Sequence, residues 1–291
     1  MTRFARAAIA SATLALAATG AQAITLVGLT SASQLARIAT TDIAGATTTA
    51  ITGLATGDRL VGIDLRPGDG KIYGISLSNK LYTVNEMTGA ATQVALLSSP
   101  VIQSNLGYGI DFNPVADFNG GSSLRLVSSA GSNFAINAST GVVGNAAGNI
   151  GSGFTAVAYT NSPPMPAMAP AGTALYYINT STDMLMTAPG AFNAPTISAV
   201  GALGVDALKA NGFDIANGMG YAALNMDDGS SLASGIYRID LGTGAATLLG
   251  TYNGTLSGLT VSAVPEPQTV ALMLAGLVAM GALARRRRSR S

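Results

Sequence analysis

The stretch LVGIDLRPGDGKIYGISLSNKLYTVNEMTGAATQVA, Leu60 to Ala95, sets a pattern that the rest of the chain repeats. It opens on an apolar strand containing Gly62-Ile63-Asp64 and turns at Pro67-Gly68-Asp69-Gly70. A second strand with Tyr73 and a third with Tyr82 follow, and Thr88-Gly89 turns into a fourth. Val, Ile, Leu, Tyr and Thr suit half-buried pleated positions, whereas Gly, Asp and Asn supply tight bends and positive φ. The opening strand returns as GYGIDFNP (Gly107 to Pro114), FTAVAYTN (Phe154 to Asn161), NGFDIAN (Asn211 to Asn217) and LSGLTVS (Leu256 to Ser262). Aligned on Gly62, Gly109, Ala156, Gly212 and Gly258, these strands are 47, 47, 56 and 46 residues apart. The third strand and its turn are read again in SNFAINASTGVVG (Ser132 to Gly144), ALYYINTSTDMLM (Ala174 to Met186) and GIYRIDLGTGAATLLG (Gly235 to Gly250).

A period near 47 with four short strands per unit is what a β-propeller blade looks like, a four-stranded sheet set around a channel. Solenoid coils are usually shorter, and a sandwich does not repeat itself in register. Ile24 to Gly53, ITLVGLTSASQLARIATTDIAGATTTAITG, supplies three strand-like segments, and Leu256 to Ser262 is a lone first strand. Pairing them makes a composite blade, closes the ring and leaves few exposed edges. The expectation is an all-β ring of about five four-stranded blades over residues 24–262. Six blades would require the long fourth unit to be split; its insertion SPPMPAMAPAG (Ser162 to Gly172) reads as a Pro-rich surface loop.

Composition narrows the chemistry. Of 291 residues, 48% are apolar and 10% charged, Gly numbers 36, and Cys, His and Trp are all zero. There is then no imidazole base, no thiolate nucleophile, no Ser-His-Asp triad, and no zinc, haem or iron–sulfur site of the usual ligand types. Carboxylates, Lys, Arg, Tyr and hydroxyls remain. A net charge of +1 also argues against nucleic acid, which requires a basic face to release counterions. No specific biochemical activity is written in these residues.

The two ends read as signals. Residues 1–23, MTRFARAAIASATLALAATGAQA, place Arg3 and Arg6 before an apolar stretch from Ala7 to Ala18 and close on Ala21-Gln22-Ala23. This is the three-part pattern of a secretory signal helix, cleaved by signal peptidase at Ala21 and Ala23 so that the mature chain starts at Ile24. An amphipathic surface helix is the alternative, but the run is apolar all round. At the other end, residues 263–291, Pro265-Glu266-Pro267 precedes an apolar run from Val270 to Ala284, and Arg285 to Arg288 with Arg290 follow. At about 1.5 Å rise per residue the run is a marginal span of a hydrocarbon core of about 30 Å. The basic residues after it would stay cytoplasmic. A plain C-terminal membrane anchor is the simpler reading.

The order Pro-Glu-Pro, apolar helix, Arg cluster resembles the PEP-CTERM sorting signal of Gram-negative bacteria. The resemblance implies cleavage near Pro265, Glu266 and Pro267 by a membrane-embedded exosortase, in organisms that make exopolysaccharide. The C-terminal transmembrane helix would then be a transient anchor. The middle of the chain, with its paired Gly-Ile-Asp and Leu-Tyr repeats, resembles the uncharacterised domain of unknown function 4394 family. That resemblance carries no activity and no catalytic residue.

Asp64, Asp111 and Asp214 each follow Gly-Ile or Gly-Phe on the first strand of a unit. On innermost strands these carboxylates would repeat around the channel and could converge on a cation or a sugar. Calcium is the candidate cation, since its ligands are hard oxygens and no softer ligand exists here; no other cofactor is expected. The structural alternative has them pointing between blades and hydrogen-bonding a neighbouring backbone. Paired carboxylates could also hydrolyse glycosides at separations of about 5 to 9 Å. Asp117-Phe118-Asn119-Gly120-Gly121 and Met226-Asp227-Asp228-Gly229 resemble the opening of calcium loops without the full ligand spacing, and turn chemistry accounts for both. Gly148 to Gly153 lacks dinucleotide-loop spacing. Asn137, Asn179 and Asn253 head sequons that read as turns. Tyr73, Tyr82, Tyr108, Tyr176, Tyr177, Tyr221 and Tyr237 fit strand packing better than a carbohydrate platform.

The expectation is an exported protein with an inner-membrane intermediate, then a cell-surface or extracellular location. Its role is binding or scaffolding without catalysis, with signal peptidase, exosortase and exopolysaccharide as partners. The membrane is engaged through the C-terminal helix before processing. The alternative is a propeller enzyme acting on glycans or lactones through channel carboxylates. A membrane-resident receptor would require the C-terminal helix to persist. With both signals removed, residues 24–264 hold eight basic and thirteen acidic side chains, a net −5.

Overall fold

The computed structural model describes residues 24–121, 123–145, 148–225, 233–263 and 276. Outside them lie the expected signal helix with Ala21 and Ala23, Met226 to Gly229, the motif Pro265, Glu266 and Pro267, and, Gly276 apart, the run from Val270 to Ala284. Among the described residues no helix is long and apolar enough to cross a membrane.

The first strands are β1 (Thr25–Thr30), β2 (Gln34–Ala39) and β3 (Asp42–Ala50). β4 (Leu60–Leu65), β5 (Ile72–Ser76), β6 (Lys80–Val84) and β7 (Ala91–Leu96) form the second blade. The third holds β8 (Tyr108–Phe112), the short helix α1 (Pro114–Phe118), β9 (Leu124–Ser128), β10 (Asn133–Ile136) and the two-residue β11 (Val143–Gly144). β12 (Phe154–Tyr159), β13 (Leu175–Asn179), β14 (Met184–Ala188) and β15 (Ser198–Ala202) make the fourth. The fifth is β16 (Lys209–Ala216), β17 (Met219–Asn225), β18 (Ser234–Ile239) and β19 (Ala246–Tyr252). The last strand, β20 (Leu256–Val261), pairs antiparallel with β1, Val27 opposite Thr260, and completes the first blade.

The chain is thus an all-β propeller of five four-stranded blades, closed by its first and last strands. The insertion at 162–172 holds no strand and joins β12 to β13 as a loop, so the fourth unit is one blade. One assignment is corrected. Leu175–Asn179 is the second strand of its blade and Met184–Ala188 the third, because both are short apolar strands ending in tight turns and periodicity does not separate them.

Burial follows radial position. The innermost β4, β8 and β12 are buried at every residue, while the outermost β3 and β7 are exposed along much of their length. Inner strands therefore read as continuous apolar runs and outer ones as Thr-rich and polar. Small residues let the inner strands close up: a Cβ added at Gly109 would sit 2.9 Å from Ala156 Cα. Gly212 lies at φ +134° in a β-bulge, where a Cβ would run into the backbone nitrogen of Leu259. Since strands alternate in direction, the first-to-second and third-to-fourth loops of every blade share one face. The chain enters β1 and leaves β20 on that same face, where the Ser262 amide donates to Thr25 O (2.9 Å).

Candidate functional site

The position after Gly-Ile or its equivalent on each inner strand is occupied by Asp64, Asp111, Ala158, Asp214 and Thr260 in ring order. Their side chains lean toward the next blade and meet the backbone N–H one residue beyond its equivalent position. Thr260 Oγ1 accepts from Leu65 N (2.9 Å), Asp64 Oδ2 from Phe112 N (2.8 Å) and Asp111 Oδ1 from Tyr159 N (3.0 Å). Asp214 Oδ2 accepts from Val261 N (2.6 Å) and closes the circuit. Ala158 has no acceptor, and the amide it would serve, Ile215 N, is taken by Asp214 Oδ1 at 2.6 Å.

The same three aspartates converge on the axis, each bringing one carboxylate oxygen within 4.8 Å of the others. They are 2%, 1% and 4% exposed, and among the described residues no Arg or Lys forms an ion pair with any of them. Burial pushes the Asp64 and Asp111 carboxyls well above the usual carboxylate range. Asp214 raises Asp64 further, and Asp64 and Asp214 together raise Asp111. Burial lifts Asp214 to about 6, against the hydrogen bonds from Val261, Thr260 and Ile215 that favour its charged form.

Thr260 joins two of the three carboxyls. Thr260 Oγ1 lies 2.9 Å from both Asp64 Oδ1 and Asp214 Oδ2. Its hydroxyl has one proton to donate, which the two carboxyl oxygens share. Thr260→Val keeps the shape, deletes both contacts and orphans the Leu65 amide. The expected loss is about 1–3 kcal/mol, read as a lower urea midpoint at unchanged slope.

A three-carboxyl cluster of this kind can hold shared protons or a hard cation such as calcium. A substrate would need to reach it. The opposite end of the inner strands holds a cavity of about 10 Å³ lined by Gly62, Gly109, Gly212 and Gly258, room for about one water.

The other sequence candidates have structural partners. Asp117 lies within α1 rather than opening a calcium loop: its oxygens accept from Arg66 Nε, Gly68 N and Ser123 Oγ, each at 2.8 Å, clamping the second blade to the third. Asn137 Oδ1 caps the amides of Ser139 and Thr140, and Asn179 Oδ1 that of Ser181, as turns do. The loop 148–153 leads into β12. Six of the seven tyrosines are buried, and Tyr176 is partly so. Sequence reasoning missed Thr260, because only its register with the aspartates marks it. It also missed Arg125, 4% exposed on β9, which donates to Tyr159 Oη (3.2 Å), Asn133 Oδ1 (3.1 Å) and Asn193 Oδ1 (3.0 Å) between the third and fourth blades. A lone Arg in the apolar run LRLVS was the signal available.

Comparison with known proteins places these features. Residues 25–260 match the family described as a domain of unknown function, DUF4394, and residues 263–288 match the PEP-CTERM protein-sorting motif. The motif marks an exported chain, recognised by an exosortase and carried through the membrane to the cell surface. No curated protein matches the sequence. Solved structures of similar fold include a calcium-binding protein, regucalcin, from Agrobacterium tumefaciens (16% identity, TM-score 0.41, 77% of this chain and 68% of that one). A protein of unknown function from Bacteroides thetaiotaomicron matches at 12% identity and TM-score 0.46 over 75% of this chain and 55% of its own. Glutaminyl cyclase from Myxococcus xanthus matches at 14% and 0.37, over 72% and 76%. At such identities the likeness extends to the fold alone.

Proposed function

The chain belongs to the DUF4394 family, and from that premise we propose that it is a non-enzymatic binding scaffold of the cell surface or extracellular matrix. In this reading signal peptidase frees Ile24, exosortase acts near Pro265, Glu266 and Pro267, and the released ring engages exopolysaccharide. One observation carries the non-catalytic part: the axial carboxylates are taken up by amides of the next blade, as a ring fastener would be, and are buried on all sides. Recognition then falls to the loops of the two faces. Co-sedimentation of the processed chain with the producing organism's exopolysaccharide tests this, with retention expected. Absence of retention, or glycan or lactone turnover that a folded Asp111→Asn chain loses, overturns it in favour of the enzyme.

A second reading adds calcium at Asp64, Asp111 and Asp214, favoured by the meeting of three carboxylate oxygens on one axis. A cation there displaces the shared proton and binds only the folded ring. At a hundredfold excess over its dissociation constant it stabilises by about 2.7 kcal/mol. Melting with calcium against chelator should then differ by about 5–10 °C, and Asp111→Asn should abolish the difference. Equal melting curves remove calcium from the axis.

A further inference from the structure

The face on which the chain enters and leaves is unlike the other one. Of the nine large apolar side chains exposed among the described residues, five stand on its loops: Met87, Phe118, Val142, Met165 and Met168. Three of the remaining four, Val94, Leu96 and Leu248, lie on the outermost strands β7 and β19, and only Leu208 is on the opposite face. Met165 and Met168 are 67% and 75% exposed. They are carried by the loop 162–172, which reaches from the fourth blade to the second. There Met165 N donates to Pro67 O (2.7 Å), and the Met165 side chain rests on Gly70. Phe118, at the end of α1, is 46% exposed beside the Asp117 clamp. Close to them Arg66 pairs with Asp117 and with Asp69, and Arg37 with Glu86, while the exposed Asp42, Lys71 and Asp240 stand on other parts of the same face.

The exit of the chain is fixed on this face. Ser262 Oγ donates to Glu86 Oε1 (2.5 Å) and accepts from Arg37 Nη1 (3.5 Å), so β20 ends pinned between the first and second blades. From Ala263 only Val264 to Thr269 precede the apolar run that begins at Val270. Fully extended, the stretch from Ala263 to Val270 reaches at most about 25 Å. Whenever that run is in a bilayer, the face that emits it is held within this distance of the lipid surface.

We infer that before cleavage this face lies against the membrane, with Phe118, Met165 and Met168 in the interfacial region of a phospholipid bilayer. Unbranched, polarisable methionines and an aromatic ring on projecting loops suit such an interface. The inference rests on the sorting-signal part of the proposed function and not on the polysaccharide part.

The chain has no cysteine, so single-site labels are unambiguous. Full-length chains carrying Phe118→Cys, Met165→Cys, Met168→Cys or Leu208→Cys, each labelled with an environment-sensitive nitrobenzoxadiazole, are reconstituted into phosphatidylethanolamine–phosphatidylglycerol vesicles. Emission is read on protein that floats with the vesicles. Emission from positions 118, 165 and 168 should shift to the blue and rise several-fold over the detergent-free released chain, while position 208 stays aqueous. Aqueous emission at 165 and 168, or an equal rise at 208, overturns the inference. So does failure of the full-length chain to float. The vesicles contain no polysaccharide, so the co-sedimentation result stands or falls separately.

Discussion

Gly212→Val is expected to lower the melting temperature of the propeller by about 10 °C or more. Two penalties coincide at this residue. Its φ of +134° belongs to a region that side chains with a Cβ rarely adopt, and the added atom would meet the backbone of Gly258 and Leu259 on the neighbouring inner strand, which has no flexible end to move aside. Strain of this kind costs about 1–3 kcal/mol and overpacking about as much again. At about 2–4 °C per kcal/mol for a ring of this length, the middle of their combined range, about 4 kcal/mol, gives a drop of about 8–16 °C. Gly57→Val is the control: Gly57 also has positive φ (+76°), with open space around its Cβ position. Calorimetry of both variants separates the terms, and equal losses would show that close approach of inner strands is not what Gly212 provides.

The second large effect concerns pH. Melted in chelator, the ring should gain stability as pH falls from about 7 towards 4. A carboxyl raised in the folded state binds its proton there before the unfolded chain does. Its contribution is complete below the unfolded value of 3.8 and is lost as pH rises through about 6 for Asp214. Asp214 alone is worth about 3 kcal/mol across that window, and Asp64 and Asp111 act in the same direction. Asp214→Asn should flatten the profile by roughly its share. A ring whose stability instead falls across this window would mean that the axial carboxyls are ionised and compensated by charge, and the protonated cluster would have to be abandoned.

Much of this was legible in the repeat. Alignment on Gly62, Gly109, Ala156, Gly212 and Gly258 located all five inner strands, because an inner strand is buried on both sides and keeps its small residue wherever neighbouring backbones touch. The composite blade followed from counting strands at the two ends. What the repeat did not distinguish was strand rank within the fourth blade, since Leu175–Asn179 and a third strand bury alike. For the aspartates two orientations were open, towards the axis or between blades, and the structure combines them: one oxygen reaches the next blade while the carboxyls still meet within 4.8 Å. Thr260 was invisible as a partner because a threonine in a strand looks like β-propensity until its register beside Asp64 and Asp214 is known. The arch from Met165 to Pro67 joins residues in blades that are not neighbours, and no local pattern encodes such a contact.

The pairing of β1 with β20 also sets an order of events during synthesis. The chain grows from its N-terminus, so β1 waits with an unpaired edge until Leu256 to Val261 have been made, and an incomplete product carries that adhesive edge with it. Contacts between the two ends of a sequence form late, after every shorter loop has had its chance to close. The sorting motif begins at residue 263, two positions past the strand that seals the ring. A ribosome that has reached the address has therefore just finished the last piece of the fold, and truncated chains lack closure and destination together.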